Sequence, residues 1–321
     1  MTALVERWRE RLPVTEATPV VSLGEGATPL LPAPRLSAEL GCELLLKWEG
    51  ANPTGSFKDR GMTVAIGKAV EEGARAVVCA STGNTSASAA AYAARAGLAA
   101  LVLLPEGAVA LGKLAQARAY GATLLEVRGS FDQALEAARE LSRRGTHVLV
   151  NSLNPDRLQG QKTAAFELVE ELGGAPDLLT LPYGGGGNTR AYALGFEELG
   201  VRQRIVAVQA SSRADTLASA IRIVAPAHRA EAEDAADVRS VDDEQILSAW
   251  QDLARLEGVF CEPSSAAGIA GLRADPPEPG SRVVCVLTGH GLKDPGTVDR
   301  TAPPPVSVEP DADAIAEAAA R

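Results

Sequence analysis

A lysine at the start of a predicted helix is the first residue of this sequence whose surroundings suggest chemistry. Lys58 lies in the segment 52–60, NPTGSFKDR, where a predicted strand is followed by a predicted helix. An amine that loses solvent in such a loop has a lowered pKa, so it can attack carbonyl groups and carry protons. The motif alone leaves open the alternative that Lys58 is an exposed surface lysine.

Six small polar residues, STGNTS, follow the predicted strand 76–80 and open an alanine-rich helix. Backbone N–H groups and short hydroxyls at a helix N-terminus can bind an anion, and the carboxylate of an amino acid is the expected ligand. Ser81, Thr82, Asn84 and Thr85 are therefore candidate binding residues. A plain helix cap is the alternative, although a cap accounts for one such residue and not for all of them.

Four consecutive glycines, Gly184, Gly185, Gly186 and Gly187, precede Asn188 between a predicted strand and a predicted helix. Glycines let the backbone approach a ligand closely and direct several N–H groups at one point, so a phosphate dianion is expected there. The spacing differs from the dinucleotide-binding fingerprint, and no Lys-Ser/Thr pair follows as in a Walker loop.

The segment 287–293, LTGHGLK, follows the last predicted strand. In an open α/β sheet, ligands bind beyond the carboxyl ends of the strands, so the hydroxyl of Thr288 can offer one hydrogen bond to a buried ring nitrogen. Loops after four predicted strands thus supply a lysine, a carboxylate site, a phosphate site and a lone hydroxyl. Together these groups indicate a phosphorylated heterocycle joined to an amino acid.

Short apolar runs alternate with amphipathic stretches, which predicts βαβ units and parallel sheets. Strands are predicted at 43–48, 76–80, 99–104, 123–127, 147–150, 178–181, 205–209 and 283–287. Helices are predicted at 58–72, 84–96, 111–120, 131–143, 158–172, 188–199, 243–257 and 264–272. The segment 225–240 is expected to be a surface helix or a loop, and 311–320 a short peripheral helix.

The bulk composition argues against several classes of protein. The 321 residues are 46% hydrophobic and 22% charged, and the net charge of −10 disfavours nucleic-acid binding. We find no apolar run of the about 20 residues that cross a membrane, and the charged N-terminus does not match a signal peptide. The four cysteines and three histidines lack ligand-like spacing, so we expect a cytoplasmic protein with no disulfide and no metal site.

Taken together, the motifs resemble those of threonine synthases, which are fold type II (tryptophan-synthase-β-like) enzymes that use pyridoxal 5'-phosphate (PLP). The matching segments lie within 22–294 and read GEGATPLL, KWEGANPTGSFKDRG, STGNTSASAAAYAARAG, ALGKLAQARAYGA, NSLNPDRLQGQKTAAFE, EGVFCEPSSAAGIAGL and VLTGHGLKD. The resemblance implies two three-layer α/β domains with open, mostly parallel sheets and PLP in the cleft between them. A smaller domain, 53–157, would be nested within a larger PLP-binding domain formed by 1–52 and 158–321.

The resemblance also implies roles for the candidate residues. Lys58 would hold PLP as a Schiff base and move protons, Asn84 would bind the phenolic oxygen, and Thr288 would face the pyridine nitrogen. The cofactor phosphate would lie on Gly184, Gly185, Gly186, Gly187 and Asn188. The substrate would be held by Ser81, Thr82 and Thr85.

A second phosphate site is implied by the segment 151–157, NSLNPDR. Asn151, Ser152 and Arg157 match the positions where threonine synthases bind the phosphoryl group of O-phospho-L-homoserine, and an arginine with neutral donors suits a dianion. A helix-terminal ion pair is the alternative for Arg157. The implied reaction converts O-phospho-L-homoserine and water to L-threonine and phosphate, and the implied assembly is a homodimer.

Three departures from the family pattern bear on the substrate. Gly185 stands where relatives have an asparagine, the chain is shorter after Ala210, and Val224 and Ala225 replace Gly-Asn. They leave open a divergent paralogue that performs β- or γ-replacement or elimination, as cysteate synthase does with O-phosphoserine and sulfite. A serine/threonine dehydratase would leave the 151–157 motif without a purpose, and a PLP-binding protein without turnover is the remaining alternative.

Overall fold

The strands and helices are those of a computed structural model that describes residues 2–107 and 111–320. In chain order the strands are β1 (Leu30–Pro32), β2 (Glu43–Trp48), β3 (Ala76–Ala80), β4 (Ala99–Pro105), β5 (Thr123–Val127), β6 (Val148–Leu149), β7 (Leu178–Pro182), β8 (Ile205–Ala210), β9 (Asp237–Val241) and β10 (Arg282–Leu287). They form two sheets, with the strand orders β1-β2-β10-β7-β8-β9 and β5-β4-β3-β6. Every neighbouring pair is parallel except β1 with β2.

The helices connect these strands and pack against the two sheets. In chain order they are α1 (Leu4–Arg7), α2 (Pro34–Leu40), α3 (Lys58–Glu71), α4 (Asn84–Ala96), α5 (Leu111–Ala119), α6 (Phe131–Arg143), α7 (Pro155–Leu172), α8 (Gly187–Glu198), α9 (Arg229–Ala235), α10 (Asp243–Glu257), α11 (Ala267–Ala274), α12 (Pro295–Thr301) and α13 (Ala312–Ala319). Short 3-10 helices lie at Arg9–Arg11, Glu49–Ala51, Ser219–Ile221, Pro263–Ala266 and Gly291–Lys293.

Every predicted strand and helix is present, and the ends differ from the predicted ones by at most three residues. The expectation for 225–240 was wrong in part, because 237–241 is an edge strand that pairs in parallel with β8. Its sequence, DVRSV, is mostly half-buried or exposed, so it lacks the continuous apolar run that predicts a buried strand. Helix α9 lies within 225–240, where a surface helix was one of the two expectations, whereas the strand β1 and the short helices α1, α2 and α12 were not predicted.

Two glycines bring helices α3 and α7 into direct backbone contact. A Cβ atom at Gly160 would lie 2.0 Å from the carbonyl oxygen of Arg60, and one at Gly61 would lie 2.5 Å from the carbonyl oxygen of Arg157. No side chain fits at either position. The contact therefore fixes the separation between Lys58, which begins α3, and Arg157 in the first turn of α7.

All four cysteines, Cys42, Cys79, Cys261 and Cys285, are buried free thiols. Within 2–107 and 111–320, no helix combines the length and the apolar character that crossing a bilayer requires. The same residues contain no group of three or more His, Cys, Asp and Glu side chains placed to hold a metal ion.

Candidate active site

The loops that carry the predicted site residues all follow parallel strands. In the larger sheet β2, β10 and β7 are neighbours, so the loops with Lys58, Thr288 and the four glycines emerge side by side. In the smaller sheet β3 and β6 are neighbours, which brings the loop before Asn84 close to the segment before Arg157. The topology thus assembles the predicted residues into two adjacent groups.

The loop before Lys58 is bonded to the loop after β10. The N–H of Phe57 donates to the carbonyl oxygen of Thr288 at 3.1 Å. On the other side of the lysine, the buried carboxylate of Asp59 accepts a hydrogen bond from the N–H of Thr54 at 2.7 Å. The backbone that presents Lys58 is therefore held on both sides of the residue.

Lys58 is half-buried, and its Nζ lies 4.1 Å from the ring centroid of Phe57. Burial and, to a smaller extent, the positive charge of Arg157 lower the pKa of Lys58, the carboxylate of Glu262 opposes them, and the resulting pKa is about 7. An ordinary lysine has a pKa of about 10.4 and is charged at neutral pH. Lys58 instead has an uncharged, nucleophilic fraction there.

Arg157 is a fully buried cation with unused hydrogen-bonding capacity. Its Nη1 donates to the carbonyl oxygen of Val150 at 3.2 Å, whereas Nε and Nη2 have no partner among the described residues. Burial lowers its pKa to about 10, so the guanidinium remains charged at neutral pH. Buried donors without partners are costly, and an anion would satisfy them.

Asn151 and Ser152 connect the segment before Arg157 to the rest of the site. The side chain of Asn151 accepts from the N–H of Ala80 and donates to its carbonyl oxygen, both at 2.9 Å. Both ends of this amide are thus used to join the segments that follow β6 and β3. Ser152 is half-buried, and its carbonyl oxygen lies 2.8 Å from Nε2 of His228.

The glycine loop, residues 184–187, ends at the N-terminus of α8. Gly186 has φ +82°, and a Cβ atom there would lie 2.7 Å from the carbonyl oxygen of His228, so only glycine fits. At Gly185 the nearest atom to an added Cβ is Cδ1 of Ile223 at 3.6 Å, which leaves room for a side chain. The buried side-chain nitrogen of Asn188, Nδ2, has no partner among the described residues, so this residue at the helix start offers an unused donor to an anion.

Glu262 is a buried carboxylate that the sequence analysis did not identify. Its two oxygens each accept from Nδ2 of Asn84 at 3.2 Å, and one lies 3.5 Å from Oγ1 of Thr288. The Thr288 hydroxyl is also 3.0 Å from Oγ of Ser265. Burial raises the pKa of Glu262, while the hydrogen bond from Asn84 and the positive charge of Lys58 act in the opposite direction.

The other predicted residues lie at the margin of this arrangement. Ser81, Thr82 and Thr85 are half-buried around the start of α4, where the Ser81 hydroxyl accepts from the N–H of Gly83 at 3.2 Å. Val224 and Ala225 are exposed, which places that departure from the family pattern at the protein surface.

The residues present suit the cofactor that the motifs predicted. A lysine with a lowered pKa can form a covalent bond with an aldehyde, and the glycine loop with the unused Asn188 amide can bind a phosphate. Thr288 is 5% exposed, and its hydroxyl can contact a ring nitrogen. Arg157 is a further buried cation with two nitrogens that have no partner among the described residues.

Comparison with known proteins agrees with the motifs. A model of the pyridoxal-phosphate dependent enzyme family matches residues 21–289. The chain is 52% identical over 323 residues to a threonine synthase of Halalkalibacterium halodurans, covering 93% of this chain and 91% of the relative. It is 52% identical over 318 residues to a threonine synthase of Synechocystis sp., with 91% and 83% covered. The structure of maize serine racemase shares the fold, with a TM-score of 0.79, 24% identity and 89% and 94% of the two chains covered.

Proposed function

The chain belongs to the pyridoxal-phosphate dependent enzymes, and on that premise we propose that it is a threonine synthase. The reaction converts O-phospho-L-homoserine and water to L-threonine and inorganic phosphate. The observation that carries the proposal is Arg157, a buried guanidinium with two nitrogens that have no partner among the described residues. A substrate phosphoryl group would supply the missing negative charge and acceptors. The threonine synthases that are 52% identical support the same activity.

When bound, PLP supplies an electron sink for the α-carbon of an amino acid. Lys58 would attach the cofactor, because its lowered pKa leaves an uncharged amine at neutral pH. The glycine loop and Asn188 would hold the phosphate, and Thr288 would face the ring nitrogen. Asn84, which is fixed by Glu262, would donate to the phenolic oxygen.

The substrate would lie between the start of α4 and Arg157. Ser81, Thr82 and Thr85 would hold its carboxylate at the helix N-terminus. Arg157 would bind the phosphoryl group, with Ser152 beside it. Asn151 would contribute by shaping this segment, since both ends of its amide are bonded to the backbone of Ala80.

Lys58 would then act as the proton carrier of the reaction. Its amine would remove a proton from Cα and then one from Cβ; the electron pair left at Cβ would expel phosphate as the C–O bond at Cγ breaks, and protons would be returned to Cγ and, after water has added, to Cα. The oxygen of water would bond to Cβ, which completes the hydroxyl of threonine. Arg157 would stabilise the charge that develops on the departing phosphate, and its buried position makes that stabilisation strong.

We extend this proposal to the domains of the chain, its oligomeric state and its location in the cell. We propose that 53–157 forms a smaller domain nested in a larger one, 1–52 and 158–321, because each sheet lies wholly within one of these parts. The resemblance to threonine synthases supports a homodimer in the cytoplasm. A solution mass twice the 33.2 kDa of the chain would support the dimer, and a mass of one chain would contradict it.

The test is to incubate the PLP-loaded protein with O-phospho-L-homoserine while phosphate and amino-acid products are measured together. We expect threonine to form in step with phosphate. If the substrate is not converted but O-phospho-L-serine with sulfite is, the enzyme is a cysteate-synthase-like paralogue. The Lys58→Ala variant should lose both turnover and the visible absorption of the lysine-bound cofactor, and retention of that absorption would contradict the role of Lys58.

A further inference from the structure

His228 connects the glycine loop, to which the proposed function assigns the cofactor phosphate, with the segment 151–157, to which it assigns the phosphoryl group of the substrate. The residue is 9% exposed, and its ring Nε2 lies 2.8 Å from the carbonyl oxygen of Ser152. Because a carbonyl oxygen can only accept, Nε2 carries the proton of this hydrogen bond. The backbone N–H of His228 donates to the carbonyl oxygen of Gly185 at 3.0 Å.

His228 also packs closely against the glycine loop. A Cβ atom at Gly186 would lie 2.7 Å from the carbonyl oxygen of His228, and one at Gly187 would lie 3.4 Å from its ring carbon Cδ2. The histidine therefore contacts the loop through both its backbone and its ring. The neighbouring ring atom, Nε2, is hydrogen-bonded to the carbonyl oxygen of Ser152.

The contact joins parts of the chain that belong to different sheets. The glycine loop follows β7 of the larger sheet, whereas Ser152 follows β6 of the smaller sheet. The two hydrogen-bonded residues, His228 and Ser152, are 76 positions apart in the sequence. One imidazole thus sets the distance between the loop and the segment that leads to Arg157.

We propose that His228 is a positioning residue for the phosphoryl group of the substrate. It holds the segment 151–157 at a fixed distance from the glycine loop, so that Arg157 meets the substrate while the cofactor phosphate occupies the loop. This inference rests on the proposed function. It assigns to His228 an effect on phosphate binding and none on the chemistry at Lys58.

The first test is His228→Ala in the PLP-loaded enzyme. We expect KM for O-phospho-L-homoserine to rise roughly five- to tenfold, the order set by the loss of one hydrogen bond. The inhibition constant of inorganic phosphate should rise by the same factor, with kcat changed by no more than about twofold. The affinity for PLP, measured by absorption titration, should remain that of the wild type. An unchanged KM would overturn the proposal.

Two further variants separate positioning from a general role in folding. The amide nitrogen of His228→Gln can reach the position of Nε2, so this variant should restore most of the substrate affinity. The shorter His228→Asn is the matched control and should behave like His228→Ala. Equal KM values for the glutamine and asparagine variants would overturn the proposal. A melting temperature of His228→Ala that is lowered far enough to account for the change in KM would also overturn it.

A binding measurement distinguishes failure of this inference from failure of the proposed function. Inorganic phosphate should raise the melting temperature of the PLP-loaded wild type, and His228→Ala should need a higher phosphate concentration for the same increase. If the wild type converts no O-phospho-L-homoserine, the proposed function fails, and this measurement still tests the contact. Equal phosphate dependence in the two proteins would overturn the role of His228.

Discussion

Arg60 on α3 and Arg157 on α7 are both buried on adjoining helices, but their surroundings are opposite. Nε of Arg60 lies 2.7 Å from a carboxylate oxygen of Glu49, and its Nη2 lies 2.7 Å from one of Glu167. Burial alone would lower the pKa of Arg60, but these two carboxylates raise it well above its usual value. Arg157 has no carboxylate within ion-pair distance among the described residues, and its pKa is lowered by burial.

The difference indicates a structural role for Arg60 and supports the substrate-binding role proposed for Arg157. The donors of Arg60 are satisfied within the protein, so the group contributes to the folded state and has little capacity left for a ligand. Two nitrogens of Arg157 have no partner among the described residues, so the folded state carries the cost of burying them. Binding an anion recovers that cost, which is why we assign Arg157 and not Arg60 to the substrate.

The largest effect that would sharpen this comparison is on stability. Replacing Arg60 with leucine leaves Glu49 and Glu167 buried without their shared partner. We expect Arg60→Leu to lower the free energy of unfolding by about 3–5 kcal/mol, measured by urea denaturation of the PLP-loaded protein. Arg157→Leu is the control and should show no such loss. Equal stability of the wild type and Arg60→Leu would break the comparison.

The next effect is on catalysis. Arg157→Leu removes two charge-assisted hydrogen bonds to the phosphoryl group, so kcat/KM for O-phospho-L-homoserine should fall about 100-fold, equivalent to about 3 kcal/mol. Its free energy of unfolding should equal or exceed that of the wild type. Arg157→Lys keeps the charge but not the planar, two-pronged guanidinium, so its kcat/KM should fall less than that of Arg157→Leu. Activity close to that of the wild type in Arg157→Leu would show that the substrate phosphate binds elsewhere.

A smaller effect is expected from phosphate alone. In the PLP-loaded wild type, inorganic phosphate at ten times its dissociation constant should raise the free energy of unfolding by about 1.4 kcal/mol. Arg157→Leu should show no increase at the same concentration, because its site lacks the cation. If phosphate stabilises both proteins equally, Arg157 is not its binding residue.

The smallest expected effect is on the titration of Lys58. The rate at which the cofactor-free protein takes up PLP should increase with pH through a midpoint near 7, because only the uncharged amine attacks the aldehyde. The charge of Arg157 disfavours a second positive charge, so Arg157→Leu should move the midpoint to higher pH. Arg60→Leu should leave the midpoint unchanged. Stopped-flow absorption would measure the midpoint in the wild type and in both variants. A midpoint that does not move in Arg157→Leu would contradict the coupling.

The sequence could predict the loops of the site because their signals are local. Gly184–Asn188 and the residues around Asn84 each combine a strand end, a helix start and a ligand-binding composition within a few positions. The parallel order of the strands then brings these loops together. Lys58 and Thr288 were predicted on the same basis, and the structure bonds their loops to each other.

Long-range partners could not be predicted in the same way. Arg60 and Arg157 each follow an aspartate at a helix start, so the local sequence does not distinguish them. What distinguishes them is Glu167, which lies 107 positions from Arg60. The contact of His228 with Ser152 and that of Glu262 with Asn84 also join distant segments. No pattern within one segment encodes such pairs.

The Gly61–Gly160 contact has a consequence for how the specificity of this enzyme can evolve. The backbones of α3 and α7 meet directly at this contact, so a side chain added at Gly61 or Gly160 would force the helices apart. With the proposed roles of Lys58 and Arg157, the length of substrate accepted between its amino group and its phosphoryl group would be set by the backbone. A change from a four-carbon to a three-carbon phosphorylated amino acid would therefore require insertions or deletions in the loops.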